Sequence, residues 1–107
     1  MNDLPPRPNN VGKSRVIKNI DGQELHVTIE DEIVRQQATS HHGKLIYIQK
    51  MRFEEDPRVQ YRFAYYMIGV KPGAQGRWVF AQYSPLIPPT DLEWLIQEAR
   101  RRNWPGF

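Results

Sequence analysis

The stretch VQYRFAYYMIGVKPGAQGRWVFAQY, residues 59–83, decides how the rest of this sequence is interpreted. It contains four tyrosines, two phenylalanines and one tryptophan, residue types that are enriched in β-strands. The segment VKPGAQG interrupts it with proline and glycine, so the stretch predicts two strands, at about 59–70 and 76–83, joined by a loop. It also contains Arg62 and Arg77 but no carboxylate, which is the first indication of a function.

The segments on either side complete a sheet and a helix. Residues 44–53 predict a further strand, and EEDPR (residues 54–58) predicts the turn that follows it, which gives a three-stranded antiparallel meander. Near the end of the chain, Thr90 and Glu93 have the T-x-x-E spacing of a capping box. Apolar residues recur at helical spacing after Thr90, so an amphipathic helix is predicted from about Asp91 to Arg102.

The first forty residues predict a hairpin followed by a short helix. Asp21-Gly22 between two β-rich runs predicts a two-residue turn, which places four apolar side chains on one face. They are Val16, Ile20, Leu25 and Val27. The next segment, TIEDEIVRQQATS (residues 28–40), has a possible cap at Thr28 and a modest apolar stripe, which indicates a short helix. β-branched residues, which lower helix propensity, are frequent in this segment.

These elements predict one domain of the α+β class. Residues 1–12 contain three prolines and are predicted to be a flexible tail, in which LPPRP could also serve as a polyproline II ligand. Residues 13–107 are predicted to form a single domain. It consists of an N-terminal β-hairpin, a short helix and a three-stranded antiparallel meander packed on one C-terminal amphipathic helix.

The alternation of side chains along strands assigns the faces of the central sheet once a register is chosen. Pairing Phe53 with Val59, and Ile68 with Arg77, gives one apolar face with Gln49 and Gln82 as its polar members. The predicted core residues are Leu45, Tyr47, Met51, Phe53, Tyr61, Phe63, Tyr65, Met67, Trp78 and Phe80. The same register sets Lys50 opposite Arg62, a like-charge pair that costs up to about 1 kcal/mol. An acid from the segment Glu30 to Glu32, or a bound anion, is therefore expected beside them.

The second face of this sheet carries the predicted binding residues. They are Lys50, Arg52, Arg62, Tyr66, Arg77 and Tyr83. Cationic side chains contact phosphates, and aromatic rings between them stack or pack, so this face predicts a nucleic-acid or anion site. The leading hypothesis is a small non-enzymatic binding domain that binds nucleic acid through this face.

Two other interpretations remain open. The alternative function is a protein–protein interaction module or a homodimer. It is suggested by an apolar area on the same face, formed by Ile46, Ile48, Ile68 and Val79. An acidic protein is one candidate partner. The hairpin could equally cover that area, and the basic residues could form an ordinary solvated surface.

Several classes of chemistry have no signature in the sequence. There is no cysteine, which excludes disulfides and thiol catalysis. The three histidines (His26, His41 and His42) have no ligand spacing, and no nucleophile motif is present, so no catalytic residue, metal or cofactor is predicted. No apolar run is long enough to span a bilayer, so a cytoplasmic protein without membrane contact is expected. The net charge of +3 favours anionic partners only weakly.

Overall fold

The computed structural model describes residues 4–40, 43–56, 58–81 and 83–107. Its main feature is one five-stranded antiparallel sheet, in the chain order β1-β2-β3-β4-β5, curved into a half-barrel with a single C-terminal helix. The elements are β1 Ser14–Lys18, β2 Glu24–Gln36, β3 Lys44–Phe53, β4 Val59–Ile68, β5 Trp78–Ala81 and α1 Pro89–Arg101. The predicted α+β arrangement is therefore wrong, because the hairpin and the meander are parts of the same sheet.

The short helix predicted at residues 28–40 is wrong, since residues 28–36 belong to the 13-residue strand β2 and residues 37–40 form a turn. Neighbours on both sides supply the hydrogen bonds of a strand, because β2 pairs with β1 and with β3. The β-branched residues Ile29, Ile33 and Val34 fit an extended backbone with half-buried surroundings better than a helix. Tertiary pairing thus overrides the capping signal at Thr28.

A β-bulge at Glu30 interrupts the regular alternation of side chains along β2. Ile29 pairs with Met51 and Asp31 pairs with Lys50, so Glu30 is an extra residue in the ladder. A bulge of one residue reverses the alternation of side chains beyond it. Ile29 and Ile33 therefore point to opposite faces of the sheet, although their spacing of four would place them on one face of a helix.

The hairpin between β1 and β2 is confirmed, but its loop is one residue longer than predicted. The Asn19 N–H donates to Gln23 O at 2.8 Å, and the Gly22 N–H donates to Asn19 O at 2.9 Å. Gly22 has φ 87°, the left-handed conformation that a three-residue loop needs at this position. As a result Ile17 pairs with Leu25, and Val16 is exposed instead of joining the predicted apolar face.

The meander of β3, β4 and β5 is confirmed as antiparallel, but both predicted registers are wrong by one residue. Arg52, not Phe53, pairs with Val59, and Ile68 pairs with Trp78. A shift of one residue exchanges the two faces of a strand. The residues of the predicted core face therefore lie on both faces of the sheet. Those on β3 and β5 share one face, as predicted, whereas those on β4 point to the other face.

One face of the sheet, the helix-bearing face, is covered over β2 and β3 by α1. Ile33, Ile46 and Ile48 pack there against Leu95, Ala99 and Trp104. The helix begins at Pro89, with Pro88 as the N-cap residue and no side-chain cap, so the predicted capping box at Thr90 is not formed. Within the described residues, no helix has the length and hydropathy that a bilayer crossing requires.

The chain turns back onto the sheet directly after α1. Asn103 has φ 57°, the Trp104 N–H donates to Ala99 O at 3.0 Å, and the Asn103 N–H donates to Arg100 O at 2.9 Å. This is the Schellman pattern, in which a left-handed residue ends a helix. Trp104 is thereby buried against Tyr61, with ring centroids 5.4 Å apart. Trp104 thus belongs to the core cluster under α1.

Candidate functional site

The opposite face of the sheet, the concave face, encloses a pocket of about 260 Å³. Its lining comes from all five strands and from the N-terminal segment, and consists of Asn10, Arg15, Ile29, Gln49, Arg62, Tyr66 and Phe80. Because β1 and β5 form the two edges of the sheet and both reach the pocket, the curvature of the sheet brings these residues together. We refer to this site as the concave pocket.

Arg62 is the central cation of the concave pocket. It pairs with Gln49 across β3 and β4, and its Nε and Nη2 donate to Gln49 Oε1 at 3.1 and 2.8 Å. Across the described part of the chain, no carboxylate forms an ion pair with it. Burial lowers the pKa of the Arg62 guanidinium, against an opposing effect of Tyr66, and the positive charge of Arg15 lowers it further. Arginine still keeps its charge at neutral pH.

A chain of hydrogen bonds behind Arg62 holds Gln49 in place. Gln49 Nε2 donates to Glu32 Oε1 at 3.0 Å. The Asn10 backbone N–H donates to Glu32 Oε2 at 2.8 Å, and Asn10 Nδ2 donates to Glu32 Oε1 at 3.4 Å. The buried Glu32 carboxylate is thus satisfied by neutral amides, as buried polar groups require. Gln49 stands between this carboxylate and Arg62, and positions the guanidinium without neutralising it.

Aromatic rings form the second component of the concave pocket. Tyr66 and Phe80 meet edge to face with centroids 5.4 Å apart, and the Arg62 guanidinium carbon lies 5.4 Å from the centroid of Phe80. Phe80 remains 39% exposed, so part of its ring is accessible to a ligand. Arg15, half-buried on β1, adds a second cation, and its Nη1 donates to the backbone oxygen of Ser14 at 2.9 Å.

The N-terminal segment borders the concave pocket. Trp78 Nε1 donates to Pro5 O at 2.9 Å, and the Tyr47 hydroxyl donates to Pro8 O at 2.6 Å. Burial raises the pKa of Tyr47, which keeps its hydroxyl protonated and able to donate. Residues 4–12 of the predicted flexible tail therefore lie beside the site, while their mobility stays a prediction.

The six predicted binding residues do not share one face. Arg62 and Tyr66 line the concave pocket, whereas Lys50 and Arg52 alternate with Met51 onto the helix-bearing face. There Lys50 Nζ lies 3.3 Å from Glu30 Oε1 and Arg52 Nη2 lies 2.6 Å from Glu30 Oε2. Glu30, one of the acids expected beside Lys50 and Arg62, thus pairs with Lys50 and Arg52 and not with Arg62. The predicted opposition of Lys50 and Arg62 is wrong, since Lys50 pairs with Tyr61.

The remaining two predicted residues lie near β5 and are exposed. Arg77 belongs to the loop before β5, and Tyr83 follows that strand with 80% of its surface accessible. Their role in binding stays a prediction. The sequence reasoning missed Asn10, Arg15 and Phe80 as site residues, because only the curvature of the sheet brings them to Arg62. Gln49 had a visible signal, since it is a polar residue in an apolar strand.

Of the three histidines, the structure describes His26 alone. His26 lies on β2 opposite Val16, and His41 and His42 fall outside the described residues. No group of three metal-binding side chains occurs in the part of the chain that the structure describes.

Comparison with known proteins provides no match for this chain. The chain matches no protein-family model. Neither a curated protein nor a solved structure is significantly similar to it. The functional argument therefore rests on the chemistry of the pocket itself.

Proposed function

We propose that this chain is a small non-enzymatic domain that binds single-stranded nucleic acid at the concave pocket. The observation that carries the proposal is Arg62, a half-buried cation that is held by the neutral amide of Gln49. A charge taken out of water is costly unless an opposite charge accompanies it. The ligand that would compensate this charge is an anion, and the phosphate of a nucleotide fits the donor geometry of arginine.

The two arginines of the concave pocket favour a phosphate over an anion with fewer acceptor oxygens. Arg62 donates one hydrogen bond from Nε and one from Nη2 to Gln49, so other N–H donors of the guanidinium remain for a ligand. Arg15 faces the same pocket and has no ion-pair partner among the described residues. Two cations that flank one cavity suit a group that accepts several hydrogen bonds at once.

The aromatic side of the concave pocket favours a nucleotide over inorganic phosphate. Phe80 and Tyr66 offer partly accessible rings beside Arg62, and bases of single strands stack on such rings. A volume of about 260 Å³ accepts roughly one nucleotide unit but cannot admit a base-paired duplex. Single-stranded DNA or RNA is therefore the expected ligand, with duplex DNA binding more weakly.

The proposal is tested by fluorescence polarisation with labelled oligo(dT) and oligo(U) at low salt. The Arg62→Gln variant is expected to weaken binding at least about tenfold, because it removes a phosphate contact in the pocket. Arg100→Gln is the matched control, since it removes the same charge from an exposed position on α1. Its effect should stay within about twofold, because only long-range charge is lost.

Two results would contradict this function. One is the absence of binding to either single strand at low salt. The other is an equal loss of affinity in Arg62→Gln and Arg100→Gln, which would reduce the effect to overall charge. A weaker salt dependence in Arg62→Gln than in the parent chain would add support, because one phosphate contact fewer lowers the salt slope by about one unit.

A further inference from the structure

A second concavity, the edge groove, lies along β4, β5 and the loop that joins them. Its volume is about 590 Å³. The residues that matter for its chemistry are Tyr65, Met67, Val70, Lys71, Val79 and Tyr83. Most of this lining is apolar, and it contains no carboxylate.

The edge groove lies on the part of the helix-bearing face that α1 leaves open. The helix packs on Ile33, Ile46 and Ile48, which belong to β2 and β3. On the same face, Met67 and Val79 form a cross-strand pair and stay 36% and 42% exposed. Contiguous exposed apolar side chains of this kind mark interaction sites.

β5 adds a second feature that suits a partner. It is the last strand of the sheet and has only four residues, Trp78–Ala81. Within the described ranges, no further strand pairs with its outer edge. The backbone N–H and C=O groups of such an edge are a template on which an extended segment can pair.

The charges around the edge groove indicate what kind of partner fits. Lys71 lines the groove, and Arg77 is exposed in the loop directly before β5. Neither cation forms an ion pair with another described residue. The groove therefore combines an apolar floor with an unbalanced positive rim.

We infer that the edge groove docks an extended acidic peptide of a partner protein, which pairs with β5 as an additional strand. In this mode the main chain supplies affinity and alternate side chains supply specificity. Apolar side chains of the peptide on the groove side pack beside Val79, and acidic residues that flank them lie near Lys71 and Arg77. A second copy of the chain is a poorer occupant, because a two-fold interface would set the same cations against each other.

The test uses a short labelled peptide with a valine-rich core flanked by glutamates, and a second one with the same core flanked by lysines. The glutamate peptide is expected to bind saturably and the lysine peptide is not. Val79→Asp should weaken binding at least about tenfold, because it places a negative charge in the groove. Val16→Asp is the matched control, since Val16 is an exposed valine on the opposite edge strand, and it should leave binding unchanged.

Three outcomes would overturn the inference. The first is the absence of saturable binding by the glutamate peptide, and the second is equal binding of the two peptides. The third is a dimer in sedimentation velocity that Val79→Asp dissociates, because a second copy would then occupy the groove. Arg62→Gln should leave peptide binding intact, so failure here is separate from failure of the proposed nucleic-acid site.

Discussion

Arg35 and Arg62 lie on opposite faces of one sheet, and the two faces compensate positive charge differently. Arg35 Nε donates to the buried carboxylate of Asp91 at 2.9 Å, which ties β2 to the first turn of α1. Arg102 likewise binds Asp31 at 3.1 Å from the other end of the helix. Among the described residues, the side-chain oxygen of Gln49 is the one acceptor that Arg62 has at comparable distance.

This difference separates the contacts under α1 from those of the concave pocket. Under the helix, carboxylates close ion pairs with Arg35 and Arg102 and fasten α1 to β2. On the concave face a carboxylate, Glu32, is also near, but Gln49 stands between it and Arg62. An amide in this position orients the guanidinium and leaves its charge uncompensated, which is an arrangement that favours binding over stability.

The largest effect should come from breaking the helix-bearing face at Trp104. Trp104 is 4% exposed and packs in the cluster that α1 forms with Ile33, Ile46 and Ile48. Trp104→Ala is expected to lower the free energy of unfolding by about 3 to 5 kcal/mol, since it removes a large buried ring and leaves a cavity. Urea denaturation measures the change.

Trp94 provides the control for this prediction. It also belongs to the helix region but is 39% exposed, with the guanidinium of Arg35 5.0 Å from its ring. Trp94→Ala should cost less than about 1 kcal/mol. Equal losses in the two variants would show that Trp104 does not anchor α1 to the sheet.

The sequence was sufficient for the elements whose signals are local. The strand at residues 44–53 has the predicted bounds. The C-terminal helix buries Leu95 and Ala99, two of the apolar residues whose helical spacing predicted it. β2 was predicted as a helix because Thr28 offers a possible cap and Ile29 and Ile33 fit an apolar helical stripe. In the structure the bulge at Glu30 places these two isoleucines on opposite faces of the strand. A bulge depends on pairing with β3, so no local pattern in the strand reveals it.

The candidate site was predictable only where it depends on one strand. Arg62 and Tyr66 were found because they are two positions of β4 with the same face, whatever the register. Their neighbours depended on the turn at residues 54–58, where a slip of one residue set Lys50, instead of Gln49, opposite Arg62. Arg15 and Phe80 come from the two edge strands, and strand alternation contains no information about the curvature that joins them.

An intermediate effect is expected from removing the two compared arginines. Arg35→Met leaves the buried Asp91 carboxylate without its cation, and should lower the free energy of unfolding by about 2 kcal/mol, a value reduced by the partial exposure of Arg35. Arg62→Met removes a desolvated charge together with its bonds to a neutral amide, and these contributions oppose each other. It should change stability by less than about 1 kcal/mol in either direction.

Chemical denaturation of both variants with an identical protocol decides between these expectations. Methionine keeps an unbranched side chain at each position, so the two substitutions are matched in volume. A loss in Arg62→Met that equals or exceeds the loss in Arg35→Met would remove the distinction between the faces. Arg62 would then be a structural residue of the sheet.

The smallest effect concerns the exposed end of the helix-bearing face, where Glu98 accepts hydrogen bonds from Arg101 at 2.7 Å and Arg102 at 2.9 Å. The bond from Arg101, followed by that from Arg102, lowers the pKa of Glu98 from 4.5 to about 2. A depressed carboxyl pKa contributes stability that is complete above pH 4.5 and disappears as the pH falls toward 2. The thermal midpoint of Glu98→Gln should therefore lie slightly below that of the parent chain at neutral pH, and the two should converge between these values. Because exposed pairs contribute little, the shift should be small.

Glu93→Gln is the control, because it removes another carboxylate of the same helix, one that accepts a hydrogen bond from Gln97. A difference between parent and Glu98→Gln that stays constant down to pH 2 would show that the arginines do not hold Glu98 in its ionised form.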